Sequence, residues 1–99
     1  MESHKLVVDK FYFRLLYASE KLDVPSVETY FYLGKNIKGN EKEDIYYFQD
    51  AYSFQNSGSI LKLGQSKKRP LTVMPESCLH FVKDIDGLIN ALQELKKTQ

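Results

Sequence analysis

The side chains best equipped for chemistry are Cys78 and His80, two residues apart, with Asp84 and Asp86 just downstream. A cysteine nucleophile needs a base within hydrogen-bond reach and usually a third group to orient that base. Cys78 and His80 share a face only if their segment is extended, and Asp84 or Asp86 would have to do the orienting. A zinc site asks for about four ligands, and one cysteine with His4 and His80 falls short without carboxylates. Cys78 therefore reads as a buried thiol and His80 as incidental to it. Asp84-Ile85-Asp86-Gly87 has the acidic spacing of a calcium loop. Val82-Lys83 before it and the apolar Leu88-Ile89 after it break the twelve-residue pattern, so Asp84 reads as a helix cap. G-x-x-x-x-G-K-S/T, G-x-G-x-x-G and G-x-S-x-G are all missing from the sequence. The expectation is a chain that is not an enzyme, with no metal and no cofactor.

Two charged clusters remain. Glu41, Glu43 and Asp44 lie in a polar stretch, where Lys42 argues against a cation site. They read as a solvated loop suited to meeting a basic protein and speeding encounter. Lys67-Lys68-Arg69, with Lys62 upstream, is the basic run. It is able to contact phosphate, but it reads more simply as a solubilising turn beside an edge strand. Fourteen Lys and Arg against thirteen Asp and Glu leave a net charge of +1, so no global field favours nucleic acid or an anionic membrane.

The elements that must hold these groups follow from the apolar pattern. Ninety-nine residues make one domain, residues 1–99, with no repeat or linker. Val8, Phe11, Leu15, Ala18 and Leu22 step by three or four, which predicts an amphipathic helix from Ser3 to Leu22, stopped before Pro25. Glu28 to Gly34 and Ile45 to Gln49 read as antiparallel strands joined by the loop Lys35 to Asp44. Asp50 caps a short helical turn through Phe54, and Asn56-Ser57-Gly58 is a turn. Ile60, Leu61 and Leu63 suggest a strand, and Leu71 to Met74 an edge strand after Pro70. Pro75 to Val82 is open between helical turn and strand. A last helix carries Ile85, Leu88, Ile89, Leu92 and Leu95 on its apolar side. The predicted fold is α+β, an antiparallel sheet of about four strands packed against N-terminal and C-terminal helices on one face. Asp9, Lys10 and Arg14 interrupt any apolar leader, and no secretory signal or transmembrane span is expected. One cysteine excludes an internal disulfide framework, which suits a cytoplasmic location.

The tyrosines supply the functional expectation. Tyr30-Phe31-Tyr32-Leu33 and Ile45-Tyr46-Tyr47-Phe48 place bulky side chains on both faces of their strands. One face packs on the helices. The other is covered by another segment, wet, or a contact surface, and which face is which stays open. Tyrosine suits interfaces because its ring buries area while its hydroxyl keeps a partner. The same rings also serve as cross-strand pairs. The candidate contact surface is Tyr30, Tyr32, Tyr46, Tyr47 and Tyr52 as anchors with Glu41, Glu43, Asp44 and Asp50 as steering carboxylates.

Ile45-Tyr46-Tyr47-Phe48-Gln49-Asp50-Ala51-Tyr52 after a polar loop, and the closing Asp84-Ile85-Asp86-Gly87-Leu88-Ile89, give the chain a texture. In it the chain resembles the small bacterial immunity proteins of contact-dependent inhibition systems. That resemblance implies a cytosolic, non-catalytic protein that occludes the active site of a cognate toxin. Many such toxins are nucleases with basic sites, for which the acidic loop and Asp50 would be useful. The expected function is therefore protein–protein binding, with an immunity protein as its sharpest form. The alternative is a nucleic-acid-binding module that stacks bases on aromatic strands and holds phosphate with Lys67 to Arg69. Neutral net charge and the acidic loop disfavour it. A small enzyme built on Cys78 and His80, and a homodimer, are the remaining rivals.

Overall fold

A computed structural model describes residue 2 and residues 5–17, 25–59 and 71–97. Four strands, β1 (Phe11–Tyr17), β2 (Pro25–Lys35), β3 (Ile45–Asp50) and β4 (Leu71–Pro75), form an antiparallel sheet in the order β1-β2-β3-β4. Helix α1 (Ala51–Ser57) follows β3 directly. A 3-10 helix (Glu76–Phe81) follows β4 and leads into helix α2 (Ile85–Lys96). The described residues are thus α+β with a four-stranded antiparallel sheet, which is the class the sequence predicts, although β1 stands where a helix is expected.

The predicted N-terminal helix is corrected. Phe11 to Tyr17 is a strand, and its register pairs Phe11 with Phe31 and Tyr12 with Tyr30. The helical spacing was real but not diagnostic. In Phe11-Tyr12-Phe13-Arg14-Leu15-Leu16-Tyr17 nearly every position is apolar, so a period of two fits as well as one of 3.6. Aromatic rings pack better on a pleated surface than on a helix, where they lose χ1 freedom, and β2 offers its rings as partners. The strand suggested at Ile60, Leu61 and Leu63 and the basic turn lie outside the described residues.

Both faces of the sheet are packed. The first face gathers Tyr12, Tyr30, Tyr32, Tyr46, Phe48 and Met74 with Leu79 of the 3-10 helix and Val82 beyond it. The second gathers Phe31, Leu33 and Tyr47, with Ile37, Ile45, Leu71 and Phe54 of α1 against them. The helices therefore do not share one face. Phe54 stacks on Phe31 at 4.1 Å between ring centroids, so α1 closes the second face. The 3-10 helix supplies Leu79 and the segment after it Val82 to the first. Lys83 pairs with the outer edge of β1 through two 2.8 Å backbone hydrogen bonds to Phe13. Helix α2 then packs beside β1 with Leu88 buried.

Local chemistry explains the joints. Asp50 Oδ2 accepts from Ser53 N at 2.9 Å and caps α1. Gln49, wholly buried on the second face, donates from Nε2 to Ser53 Oγ at 3.1 Å and to the Gly58 carbonyl at 3.0 Å. That amide ties both ends of the short helix to the strand that precedes it. Asp84 Oδ1 accepts from Gly87 N at 2.8 Å and caps α2. A bulge between Tyr32 and Gly34 shifts the β2–β3 register. Gly34 holds φ at 142°, and a Cβ there would meet Ile37 Cγ2 at 3.1 Å, so glycine is what the bulge requires.

Candidate binding surface

The predicted contact residues separate into three groups. Tyr30, Tyr32, Tyr46 and Tyr47 are each 4% exposed or less. Their rings are inside the fold, Tyr30, Tyr32 and Tyr46 on the first face and Tyr47 on the second. They do not form the ring-anchored surface the two-faced pattern suggested. The reason is that the sheet acquired cover on each side. The 3-10 helix and the N-terminal approach to β1 cap one face, and α1 and the β2–β3 loop cap the other. Two of the hydroxyls are engaged as well. Tyr30 donates to Glu28 Oε2, which also takes the Arg14 guanidinium at 3.1 Å. Tyr47 donates to Glu41 Oε2. Burial pushes the Tyr32 hydroxyl above its ordinary pKa, with Tyr46 and Tyr12 adding to the shift.

The second group is the β2–β3 loop, residues 36–44, which is cross-braced from within. Asn36, at φ 54°, donates from Nδ2 to Asp44 Oδ1 at 3.0 Å and accepts from Ile45 N at 2.8 Å. Lys35 Nζ lies 3.1 Å from Asp44 Oδ2. Those two bonds, Asn36 first and Lys35 second, hold the Asp44 carboxyl below its usual range. Glu41 accepts from Tyr47 and from Lys38 N at 3.2 Å, and the Tyr47 bond is the main reason its pKa is lowered. The same bond is the first cause that Tyr47 is pushed up to about 12, burial being the second. Glu41 Oε1 is buried with no hydrogen-bond partner among the described residues. Glu41 therefore braces the loop, and Asp44 is shared between bracing and solvent. Glu43 is exposed beside them. Lys35, Lys38 and Lys42 match the three carboxylates in number, so the loop presents mixed charge rather than a negative field.

The third group is at the other end of β3. Asp50 is spent on capping α1, whereas Tyr52, in the first turn of that helix, is 77% exposed. Five residue steps along β3 separate this end from the loop, roughly 16 Å at strand rise. One compact patch of tyrosines and carboxylates does not form.

Of the reactive side chains, His4 lies outside the described residues, and Cys78 and His80 are not brought together. Cys78 is partly buried against the first-face core. His80 is exposed, its Nδ1 2.7 Å from the Ser77 carbonyl. Both sit in the 3-10 helix, where three residues complete a turn, so positions two apart point about 120° from one another. Among the described residues no group of three or more His, Cys, Asp or Glu is placed to hold a metal ion, and no helix is long and apolar enough to cross a membrane. A cleft of about 560 Å³ runs between β1, the 3-10 helix and α2, lined by Leu15, Leu16, Phe81 and Ala91 with His80, Lys83 and Glu94.

One surface escaped the sequence reading. Ile85, Ile89 and Leu92 on α2 are 55%, 45% and 38% exposed. The sequence places them with Leu88 and Leu95 on one apolar side of the helix. At 100° per residue the apolar positions of α2, Ala91 included, sweep about 160°. Leu88 lies toward the core, and the flank carrying Ile85, Ile89 and Leu92 is left over. The width of that arc was the available signal. Set against known proteins, the chain matches no family model, no curated sequence and no solved structure.

Proposed function

We propose that this chain works by binding another protein, with Tyr52 as the principal ring anchor. The observation that carries the reading is the 77% exposure of Tyr52 on a helix whose own geometry is fixed. Asp50 caps that helix, Gln49 ties it to the sheet, and Phe54 stacks beneath it. A large ring held on a rigid support loses little freedom on docking, and tyrosine is among the residues that most often dominate interface energetics. The burial of the four strand tyrosines favours this reading over a nucleic-acid-binding one, which would stack bases on those rings.

In its sharper form the proposal is a bacterial immunity protein acting in the cytoplasm, which occludes the active site of a cognate toxin domain. The cross-braced β2–β3 loop would serve there as a second, polar contact, with Glu43 meeting basic groups of a nuclease-type toxin. The test is whether a toxin domain is encoded beside this gene and whether the chain, co-expressed with that domain, rescues growth, followed by binding measurements on purified proteins. Tyr52→Ala should weaken binding by about 2 kcal/mol or more while thermal unfolding stays unchanged. Glu43→Lys should slow association with a basic partner and leave dissociation nearly untouched. Failure to rescue would remove the immunity reading. Full affinity in the Tyr52→Ala variant would remove the anchor.

A further inference from the structure

We infer that the exposed flank of α2 is a self-association seam, and that its occupant is α2 of a second copy of this chain, running antiparallel. The inference is independent of the Tyr52 surface, which lies on a different helix. Ile85, Ile89 and Leu92 are spaced four and then three, and Lys96 follows four later. That is the d-a-d-a spacing of a helix-pairing seam. All three apolar residues are exposed, while Leu88 on the neighbouring flank is buried in the chain's own fold.

The charges decide which occupant and which direction. Helix α2 carries Asp84 and Asp86 at its N-terminal end and Lys96 and Lys97 at its C-terminal end. A parallel copy would set Lys96 against Lys96 in the seam and put both acidic helix ends at the same end of the pair. An antiparallel copy places Ile89 against the partner's Leu92 on both sides of a two-fold axis. It also lays the Lys96 stem along Ile85, with its ammonium close to the acidic end. Glu94 keeps its 2.9 Å pair with Lys97, about 180° around the helix from Ile85 and away from the seam. A helix of twelve residues is about 18 Å long, and three half-exposed side chains offer less than the ~800 Å² per partner of a standard interface. The pairing is accordingly weak, concentration-dependent, and weaker still in high salt.

The experiment is sedimentation equilibrium of the full chain up to about 1 mM, with thermal unfolding as the check on folding. The expected result is a reversible monomer–dimer equilibrium. Ile89→Asp should abolish it without lowering the unfolding midpoint. Asp86→Lys and Lys96→Asp should each weaken it at least several-fold, and the two together should restore it. Both charged positions are exposed, so this pair keeps the test open if Ile89→Asp fails to fold. A chain that stays monomeric across the range overturns the inference. So does a dimer that survives Ile89→Asp. Failure of the double charge exchange to restore association overturns the antiparallel arrangement.

Discussion

The ribbon of β2 and β3 and the helix α2 are both apolar over more than one face, yet they end up in opposite situations. Tyr46 and Tyr47 point to opposite sides of the sheet and are both buried. Leu88 and Ile89 are neighbours on one helix, and one is buried while the other stands in solvent. The difference is one of cover. The ribbon sits centrally in the sheet order, so each of its faces meets a layer contributed by another part of the chain. Helix α2 comes last in the described element order and, among the described residues, packs chiefly against β1. An apolar surplus in a central element therefore becomes core, and the same surplus in a peripheral element becomes a candidate interface.

The sharpest way to break that contrast is at its buried pole. Phe48 is 0% exposed and touches Tyr30 and Tyr32 through ring contacts at 5.9 and 5.2 Å. Phe48→Ala should cost about 3–5 kcal/mol in chemical denaturation, a large share of what a small domain possesses. A loss below about 1 kcal/mol would mean that this face is not the packed one.

A smaller effect belongs to the second face, where Tyr47 and Glu41 join the ribbon to its loop. The signs of the two shifts differ. The hydroxyl of Tyr47 is raised from 10.0 to about 12, so its contribution is complete below pH 10.0 and is lost as the pH climbs through about 12. The Glu41 carboxyl is lowered, so its contribution is present above the ordinary carboxylate range and is lost as the pH falls beneath it. The stability difference between the wild-type chain and Tyr47→Phe should therefore be flat across neutral pH and shrink at both extremes. Melting curves of the two proteins from acid to alkali measure it. A difference still undiminished near pH 12 would show that the Tyr47–Glu41 bond is not what the substitution removes.

The smallest effect is expected at the exposed pole. Ile89→Ala in dilute solution should change stability by no more than about 0.5 kcal/mol, read from the same denaturation curves as Phe48→Ala. A loss of 2 kcal/mol or more would place Ile89 under cover and dissolve the contrast between ribbon and helix.

Much of the architecture was written locally. Asp50 and Asp84 each precede a helix and accept from the backbone three residues on, because a carboxylate beside free N–H groups is a short-range event. The strands at Ile45 and Leu71, and the loop opened by Gly34, depend likewise on residues close in sequence. The segment Phe11 to Tyr17 was not legible in this way. Its apolar density satisfies two periods, and the choice went to the one that lets Tyr12 and Phe11 meet Tyr30 and Phe31, residues about twenty positions away. The site suffered the same ambiguity. Tyrosine at positions 30, 32, 46 and 47 announces a ring that wants cover and does not say whether the cover is another chain or its own.

By itself the sequence determined the α+β composition, the helix caps, the β2–β3 hairpin and the lack of a phosphate-loop or nucleophile-elbow motif. The caps follow from contacts three residues long, and the hairpin from two strand-like runs flanking a single polar loop. Only the tertiary structure decided that the ribbon is sealed on both faces, and that Tyr52 and the flank of α2 remain outside. The physical reason is that burial is a property of what packs against a side chain. For a residue such as Tyr46 that partner set includes Met74, Leu79 and Val82, which the chain brings near only when the sheet and the segments beyond it have assembled.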